Sequence, residues 1–272
     1  MRLGPFDKAL AALHDREVPK WDRKRHYAGE WLVEYVLVLD TLHFSFWGSG
    51  RGYWQLAEAL RDAFAAGDPL WEPARLLELD EAGLTAVIGD FPIPERRLAA
   101  LHELARLAER EASGSLVGLV PPSAPELAEF LSRNLESFRD VALYGDFEVP
   151  LLKRAQIAAA DLWGSGAIGF DDIDQLTCFA DYKLPQALRH LGALEYSAHL
   201  ARRIDDWVEL DPGSPEEVEI RAATVVAVEE LRDRLAGGGR QLTAVEVDWM
   251  LWDYAQGLFP VRPYHRTRTV FY

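Results

Sequence analysis

The sequence predicts an all-α protein. Apolar residues recur at helical spacing, as in the stripe formed by Leu98, Leu101, Leu104 and Leu107. Helix starts are marked by Ser or Thr followed three residues later by Glu, because the hydroxyl and the carboxylate each accept a bond from otherwise unpaired backbone N–H groups. Alternating patterns typical of strands are scarce, which favours the all-α class further.

The helix boundaries can be read in order along the chain. The predicted capping boxes are Ser123 with Glu126, Ser214 with Glu217, and Thr243 with Glu246. Pro125 and Pro215 stand at early helical positions, where a missing N–H group costs nothing. Helices should stop at Gly192, at the glycine run 237–239 and at Gly257, because glycine suits the backbone conformation that ends a helix.

The stretch at 120–125 is the most linker-like part of the chain, with the sequence Val-Pro-Pro-Ser-Ala-Pro. The helical pattern and the apolar content look alike on both sides of it. We therefore predict a single domain over residues 1–272 with two lobes divided near 121–125. No internal repeat with a period of about 20–50 residues is visible, which argues against an α-solenoid.

Composition and charge exclude several classes of protein. Of the 272 residues, 49% are hydrophobic, which is enough for a conventional core and argues against disorder. The net charge of −15 opposes binding to nucleic acid, because such binding depends on Lys and Arg neutralising phosphates. The single cysteine, Cys178, can form no internal disulfide, which suits a reducing cytosol.

Neither a signal peptide nor a membrane span is predicted. Charges interrupt each apolar stretch near the N-terminus, and the apolar run 31–42 is broken by Glu34 and Asp40. That run is also shorter than the roughly 20 residues that cross a bilayer. Common nucleotide-binding, zinc and serine-hydrolase motifs are missing, so we predict no metal and no cofactor. We expect a cytoplasmic monomer with a small-molecule substrate and neither a membrane nor a nucleic acid as partner.

An aromatic segment, residues 40–54, is the first candidate for chemistry. It includes a glycine-rich stretch, and its aromatic, imidazole and carboxylate residues are Asp40, His43, Phe44, Phe46, Trp47, Tyr53 and Trp54. Flat rings bind a flat heterocycle by stacking, worth on the order of 1–3 kcal/mol per base. Asp40 could accept two hydrogen bonds from the N1–H and N2–H edge of a guanine-like ring. Alternatively, the rings are core residues and His43 is a buried histidine with its hydrogen bonds satisfied.

The second candidate is the Asp181 segment, residues 176–192, in which the cluster Asp181-Tyr182-Lys183 precedes a helix that contains Pro185 and Gln186. The helix dipole should keep Asp181 ionised at neutral pH. An ionised carboxylate in an apolar pocket can stabilise an oxocarbenium ion or take a proton from water. The alternative is that Asp181 caps the helix and pairs with Lys183.

Two further places carry charged residues. Glu217 stands at a helix start, where its role as the acid of a capping box is sufficient explanation. The C-terminal segment is locally basic, and His265, Arg266 and Arg268 could together hold a phosphate monoester. A frayed cationic tail explains the same residues equally well.

Taken together, these segments resemble the queuosine salvage proteins, also described as queuosine 5′-phosphate N-glycosylases or hydrolases. The strings that carry the resemblance span most of the chain in order: Trp31 to Asp40 leading into His43-Phe-Ser-Phe-Trp47, Lys153-Arg-Ala-Gln156, Asp161-Leu-Trp163, Asp172-Ile-Asp174, Thr177 to Gln186, Gly192 to Ser197, Glu217 to Arg221, and His265-Arg-Thr-Arg268. The Phe-Ala-Asp-Tyr-Lys-x-Pro-Gln string and the Phe-Ser-Phe-Trp string are specific, whereas the helix start at Glu217 alone is weak.

The resemblance implies hydrolysis of the N-glycosidic bond of queuosine 5′-monophosphate, which releases the 7-deazaguanine base queuine. It also implies a fold similar to the helix-hairpin-helix DNA glycosylases, although residues 184–192 lack the paired glycines of a DNA-binding hairpin. A 7-deazaguanine has carbon in place of N7, so protonation there cannot assist departure of the base. The enzyme must therefore stabilise the cation on the sugar.

Residue roles follow from the resemblance. Asp181 is expected to be catalytic, next to the anomeric carbon, where it stabilises positive charge and activates water. The residues expected around the base are Phe46, Trp47, Phe179 and Tyr182, and His43, Phe44 and Gln186 stand in the same strings. Asp40 is expected at the N1/N2 edge of the base, and Glu217 at the ammonium or hydroxyl groups of the substrate. The residues expected at the 5′-phosphate are Lys183, Arg221, His265 and Arg268.

Three other functions stay open at this point. A base-excision glycosylase for DNA or RNA would bind oligonucleotides with steep salt dependence, which the acidic composition opposes. A non-catalytic carrier of queuine or a nucleotide would use the same aromatic slot without turnover. A helical interaction module is the third alternative, and the missing repeats argue against it.

Overall fold

The computed structural model of this protein describes residues 1–48 and 50–272. In chain order its α-helices are α1 (Asp7–Leu13), α2 (Leu32–Thr41), α3 (Tyr53–Ala65), α4 (Pro73–Glu78), α5 (Glu81–Ile88), α6 (Pro94–Ala112), α7 (Ala124–Asn134), α8 (Lys153–Gly164), α9 (Lys183–Leu191), α10 (Ala198–Asp205), α11 (Pro215–Gly237) and α12 (Ala244–Gln256). Short strands are β1 (Arg2–Leu3), β2 (Val141–Tyr144), β3 (Phe147–Pro150) and β4 (Leu194–Glu195). Turns of 3₁₀ helix lie at Val117–Leu119, Glu136–Phe138 and Ile173–Gln175.

The mainly helical prediction is confirmed. The stripe of leucines lies on α6, where Leu101, Leu104 and Leu107 are buried and Leu98 is half-buried. Within the described residues the strands form only antiparallel pairs, β1 with β4 and the hairpin β2–β3. No helix of the described chain is long and apolar enough to span a membrane. The likeness to DNA glycosylases stays a prediction.

Most of the predicted helix boundaries hold. Thr243 and Glu246 form the reciprocal capping box of α12, and the Ser123 hydroxyl accepts a bond from the Glu126 N–H group at 3.3 Å. Gly192 ends α9 in the left-handed conformation, with φ of 79°. The predicted box of Ser214 and Glu217 is wrong, because the Ser214 side chain makes no capping bond within the described chain.

The chain divides into two compact units, each built from separated segments. The first unit comprises Met1–Pro19, Val141–Lys153 and Asp174–Thr269, and the second comprises Lys20–Asp140, Arg154–Ile173 and Val270–Tyr272. The stretch 121–125 lies inside the second unit, so the lobe boundary expected there does not coincide with a boundary between these units. The single domain stays a prediction.

Each unit has its own apolar interior. In the first unit, α1, α9, α11 and α12 pack around a buried cluster that includes Leu13, Leu188, Leu231 and Leu251. In the second unit, α2 is buried along nearly its whole length from Glu34 to Thr41. A helix that is apolar on all sides is stable only when other elements surround it. This explains why residues 31–42 are the most apolar run of the sequence.

Candidate active site

The aromatic segment begins in the last turn of α2, in the second unit. The Asp40 side chain is fully buried, and the His43 Nδ1 atom lies 3.5 Å from Asp40 Oδ1. Beyond the helix, Ser45 adopts the left-handed backbone conformation with φ of 48°. This turn brings Phe44 and Phe46 into the interior. Ser49, in the glycine-rich stretch of the same candidate, lies outside the described residues.

Two buried arginines hold the backbone of the aromatic segment. Arg97, on α6, and Arg154, on α8, have almost no exposed surface. Their guanidinium groups donate to backbone carbonyls: Arg97 to Leu42, Phe44, Ser45 and Pro92, and Arg154 to Asp40, Thr41, Ser137 and Val270. Burial lowers the pKa of Arg154 to about 9, so this group is still protonated at neutral pH. The segment is therefore fixed by cations that bind its carbonyl oxygens.

The aromatic rings differ in their surroundings. Phe44 is fully buried, and the guanidinium carbons of Arg97 and Arg154 lie 4.4 and 4.6 Å from its ring centroid. Phe46 and Trp47 each keep 8% of their surface exposed. The surroundings of Phe44 are those of a packing residue, as one of the alternatives expected.

Sequence reasoning named Tyr53 only as part of the aromatic segment and did not single out His26. The Tyr53 ring lies 4.7 Å from the His43 ring, and the Tyr53 hydroxyl lies 3.5 Å from His26 Nε2. His26 Nδ1 is 3.2 Å from the Tyr35 hydroxyl, which donates to the Ala57 carbonyl. Burial lowers the pKa of His26 to about 4. A neutral histidine thus joins two tyrosines behind His43.

The Asp181 segment lies at the start of α9, in the first unit. The Asp181 Oδ1 atom accepts bonds from the backbone N–H groups of Lys183 at 2.6 Å and Leu184 at 3.0 Å. The Oδ2 atom has no hydrogen-bond partner among residues 1–48 and 50–272. Asp181 therefore does occupy the start of the helix, and only one of its oxygens is used there.

Lys183 does not form the expected pair with Asp181. Its Nζ atom donates to Gln186 Oε1 at 3.2 Å and lies 5.4 Å from the centroid of the Tyr264 ring. Burial lowers the pKa of Lys183, against the raising effect of the Asp181 carboxylate. Gln186 in turn donates to the Arg262 carbonyl at 2.7 Å, so its amide serves contacts within the protein.

Glu217 and Arg221 form a buried ion pair one helical turn apart on α11, with 3.3 Å between Oε1 and Nη1. Glu217 also accepts from the Gly213 N–H group at 3.2 Å, and the Ser214 N–H group, which a capping box would use, donates to the Asp211 carbonyl at 3.0 Å. Arg221 donates from Nε to the Ala180 carbonyl at 2.8 Å. The expected phosphate role therefore does not fit Arg221, because its guanidinium is buried against protein groups.

The C-terminal segment is ordered against the first unit as far as Thr269, which excludes the frayed tail. His265, Thr267 and Thr269 are buried alternately along it, and the Leu210 N–H group donates to the Arg266 carbonyl at 2.8 Å. Burial and the nearby Arg221 lower the pKa of His265 to about 3. His265 is thus uncharged at neutral pH, and its expected contact with the phosphate stays a prediction.

Arg268 keeps the exposure that a phosphate ligand needs. Half of its side chain is exposed, and its Nη2 atom lies 3.6 Å from Glu209 Oε1. The neighbouring Arg266 lies over the ring of Trp207 at 3.8 Å. Tyr264, which sequence reasoning missed, stacks obliquely on Tyr182 with 4.7 Å between ring centroids.

Asp248, on α12, is a second residue that sequence reasoning missed. Its side chain is buried, and Oδ2 accepts a bond from the Phe179 N–H group at 2.7 Å. The only signal in the sequence is an acid with apolar neighbours on a helix, with Val247 before it and Trp249 to Leu251 after it. That pattern indicates a buried carboxylate without revealing its partner.

A family model described as the queuosine salvage protein matches residues 23–272. The chain belongs to the queuosine salvage protein family. A protein of Sphaerobacter thermophilus named queuosine 5′-phosphate N-glycosylase/hydrolase is 44% identical over 93% of this chain and 86% of its own. Proteins of the same name from Dictyostelium discoideum and Mus musculus are 37% and 32% identical, over 89% and 90% of this chain and 79% and 83% of their own.

The match to the queuosine salvage family covers both candidate segments. The matched range contains the aromatic segment in the second unit and the Asp181 segment in the first. The resemblance stated from the sequence is therefore confirmed for the family. The roles of individual residues stay predictions.

Proposed function

We propose that this chain hydrolyses the N-glycosidic bond of queuosine 5′-monophosphate and releases queuine and ribose 5-phosphate. The observation that carries the proposal is that relatives with this activity in their name align with 89–93% of the chain. The acidic net charge of −15 also suits a mononucleotide better than a nucleic acid.

Asp181 is the catalytic residue in this proposal. Its Oδ1 atom is held by two backbone N–H groups, which orient the carboxylate, and Oδ2 is left for the reaction. As the bond to the base breaks, the carboxylate stabilises positive charge on the anomeric carbon and takes a proton from the attacking water. The base leaves with the electron pair of the broken bond on N9 and without protonation at position 7, because that atom is carbon. The proton that Asp181 takes from water is then released to N9, which gives neutral queuine and restores the carboxylate. A carboxylate and water are sufficient, so we expect activity to survive treatment with EDTA.

Base-binding roles in the second unit are assigned to residues that keep some exposure. Phe46 and Trp47 offer ring surface for stacking, whereas Phe44 packs against arginines. His43, with 15% of its side chain exposed, is the candidate for the N1/N2 edge of the base, whereas the Asp40 side chain expected there is fully buried. In the first unit, Lys183 and Arg268 are the candidates for the 5′-phosphate.

The first experiment is incubation of the purified protein with queuosine 5′-monophosphate and, separately, with guanosine 5′-monophosphate, while base release is followed by chromatography. We expect queuine alone to be released. Release of neither base, with queuine binding still visible by tryptophan fluorescence, would overturn the proposal in favour of a non-catalytic carrier.

The variant that tests the catalytic role of Asp181 is Asp181→Asn. The amide oxygen of asparagine can still cap α9, but the side chain no longer carries a negative charge. Removal of a general base costs about 10²–10⁴-fold in kcat, and we expect queuine affinity to stay within a few-fold. The control is Asp80→Asn, since Asp80 also caps a helix by accepting from Gly83 at 2.7 Å. A near-wild-type rate for Asp181→Asn would remove Asp181 from the mechanism.

The phosphate assignment has its own test. Arg268→Ala should raise KM for the monophosphate far more than KM for the nucleoside. Arg262→Ala is the control, because this side chain of the same segment is 68% exposed and only weakly paired with Asp205. Equal effects of Arg268→Ala on both substrates would show that Arg268 does not contact the phosphate.

A further inference from the structure

The backbone just before Asp181 is bonded to two buried charged side chains. The Phe179 N–H group donates to Asp248 Oδ2 at 2.7 Å, and the Ala180 carbonyl accepts from Arg221 Nε at 2.8 Å. Asp248 and Arg221 are 3% and 2% exposed. Bonds from ionised groups to backbone atoms are about twice as strong as neutral ones, and burial strengthens them further.

The charged groups come from different helices of the first unit. Asp248 is on α12 and Arg221 is on α11, and both helices pack with α9 around the same apolar cluster. Arg221 is also fixed by Glu217, which accepts from the Gly213 N–H group. The helical core of the unit therefore determines where the backbone of residues 179–180 lies.

We propose that Asp248 and Arg221 are positioning residues that set the orientation of the Asp181 carboxylate through the backbone of Phe179 and Ala180. The inference rests on the proposed function for its kinetic consequence only. Asp181 follows directly after Ala180, and its Oδ1 atom can bond Lys183 and Leu184 only while the preceding backbone stays in place. A shift there moves the unbonded Oδ2 atom relative to the substrate.

The experiment compares Asp248→Ala, Asp248→Asn and the control Asp253→Ala. The asparagine variant keeps an oxygen that accepts from Phe179, and Asp253 lies on the same helix with a half-exposed side chain. A displacement of about 1 Å costs on the order of 100-fold in rate, so we expect that loss of kcat for Asp248→Ala with KM little changed. We expect Asp248→Asn to restore most of kcat and Asp253→Ala to match wild type. A proportional loss of kcat and folded protein in Asp248→Ala would indicate a merely structural role.

A second measurement does not depend on activity. Amide hydrogen exchange of residues 179–184 reports the bonds of Phe179, Lys183 and Leu184 directly. We expect faster exchange at all three amides in Asp248→Ala and wild-type exchange in Asp253→Ala. Unchanged exchange at Lys183 and Leu184 would overturn the inference, whereas absence of queuine release by the wild type would overturn only the proposed function.

The same measurement tests Arg221. Arg221→Gln removes the charge that binds the Ala180 carbonyl, and we expect its exchange pattern over residues 179–184 to resemble that of Asp248→Ala. In the variant with both changes, kcat should be little lower than in the worse single variant, because both groups act through one stretch of backbone. Additive losses would contradict a shared action.

Discussion

The aromatic segment and the Asp181 segment are both held by buried charges, but the charges act on different groups. Residues 40–45 are bound through their carbonyl oxygens, by Arg97 and Arg154. The Asp181 segment is bound through an N–H group by an anion and through a carbonyl by a cation. The carbonyl groups at the end of a helix lack hydrogen-bond donors, so cations alone can satisfy them. The backbone before α9 presents both an N–H group and a carbonyl, so it needs an anion for the first and a cation for the second.

The comparison predicts that Arg154 is more important for stability than for binding. Arg154→Met should lower the free energy of unfolding by about 3–5 kcal/mol, because it leaves several buried carbonyls without a donor. Urea denaturation measures the loss. The control is Arg110→Met, which removes an arginine that is 56% exposed. A loss below 1 kcal/mol would show that water replaces the guanidinium and that the segment is not fixed by it.

Each unit also contains a buried neutral histidine, which makes acid stability a test of both. The pKa values of His26 and His265 are lowered to about 4 and about 3 in the folded chain, below the usual 6.5. Between 6.5 and these lowered pKa values, each histidine binds a proton in the unfolded chain but not in the folded chain. The free energy of unfolding therefore falls as the pH decreases through 6.5. Each histidine should cost about 2 kcal/mol between pH 7 and pH 5.

Glutamine variants identify the contribution of each histidine. We expect His26→Gln and His265→Gln each to flatten the decline of unfolding free energy from pH 7 to pH 5, measured by urea titration at each pH. His14→Gln is the control, because the His14 side chain is 63% exposed. An unchanged slope in one variant would mean that its histidine already binds a proton in the folded chain.

Phe44 and Phe46 separate packing from binding within the aromatic segment. Phe44→Leu should lower unfolding free energy by roughly 1–2 kcal/mol without changing queuine affinity, because the lost ring contacts are with Arg97 and Arg154. Phe46→Leu should weaken the affinity for queuine more than it lowers the free energy of unfolding. Urea denaturation measures the stability of both variants, and fluorescence titration measures their affinity for queuine. Weaker queuine binding by Phe44→Leu would show that the Phe44 ring contacts the base.

The sequence was sufficient for the helical class and for the family, since periodicity and ordered strings such as Phe179 to Gln186 are local patterns. It could not predict which charges are buried together. Arg154 stands in a string of the family resemblance, yet its carbonyl partners come from residues 40, 41, 137 and 270. His265 is a candidate for the phosphate because it stands in a locally basic segment, but its pKa depends on burial next to Arg221, which the sequence does not reveal.

The smallest effect concerns the helix starts that looked identical in sequence. Thr243 accepts a bond from the Glu246 N–H group at 3.2 Å, whereas the buried Ser214 hydroxyl has no partner in the described chain. Thr243→Ala should therefore cost about 1 kcal/mol of unfolding free energy, and Ser214→Ala should cost little or nothing. Thermal and urea unfolding of both variants give the difference. Equal losses would mean that the Ser214 hydroxyl caps α11 in solution, and that Glu217 is then shared between that cap and Arg221.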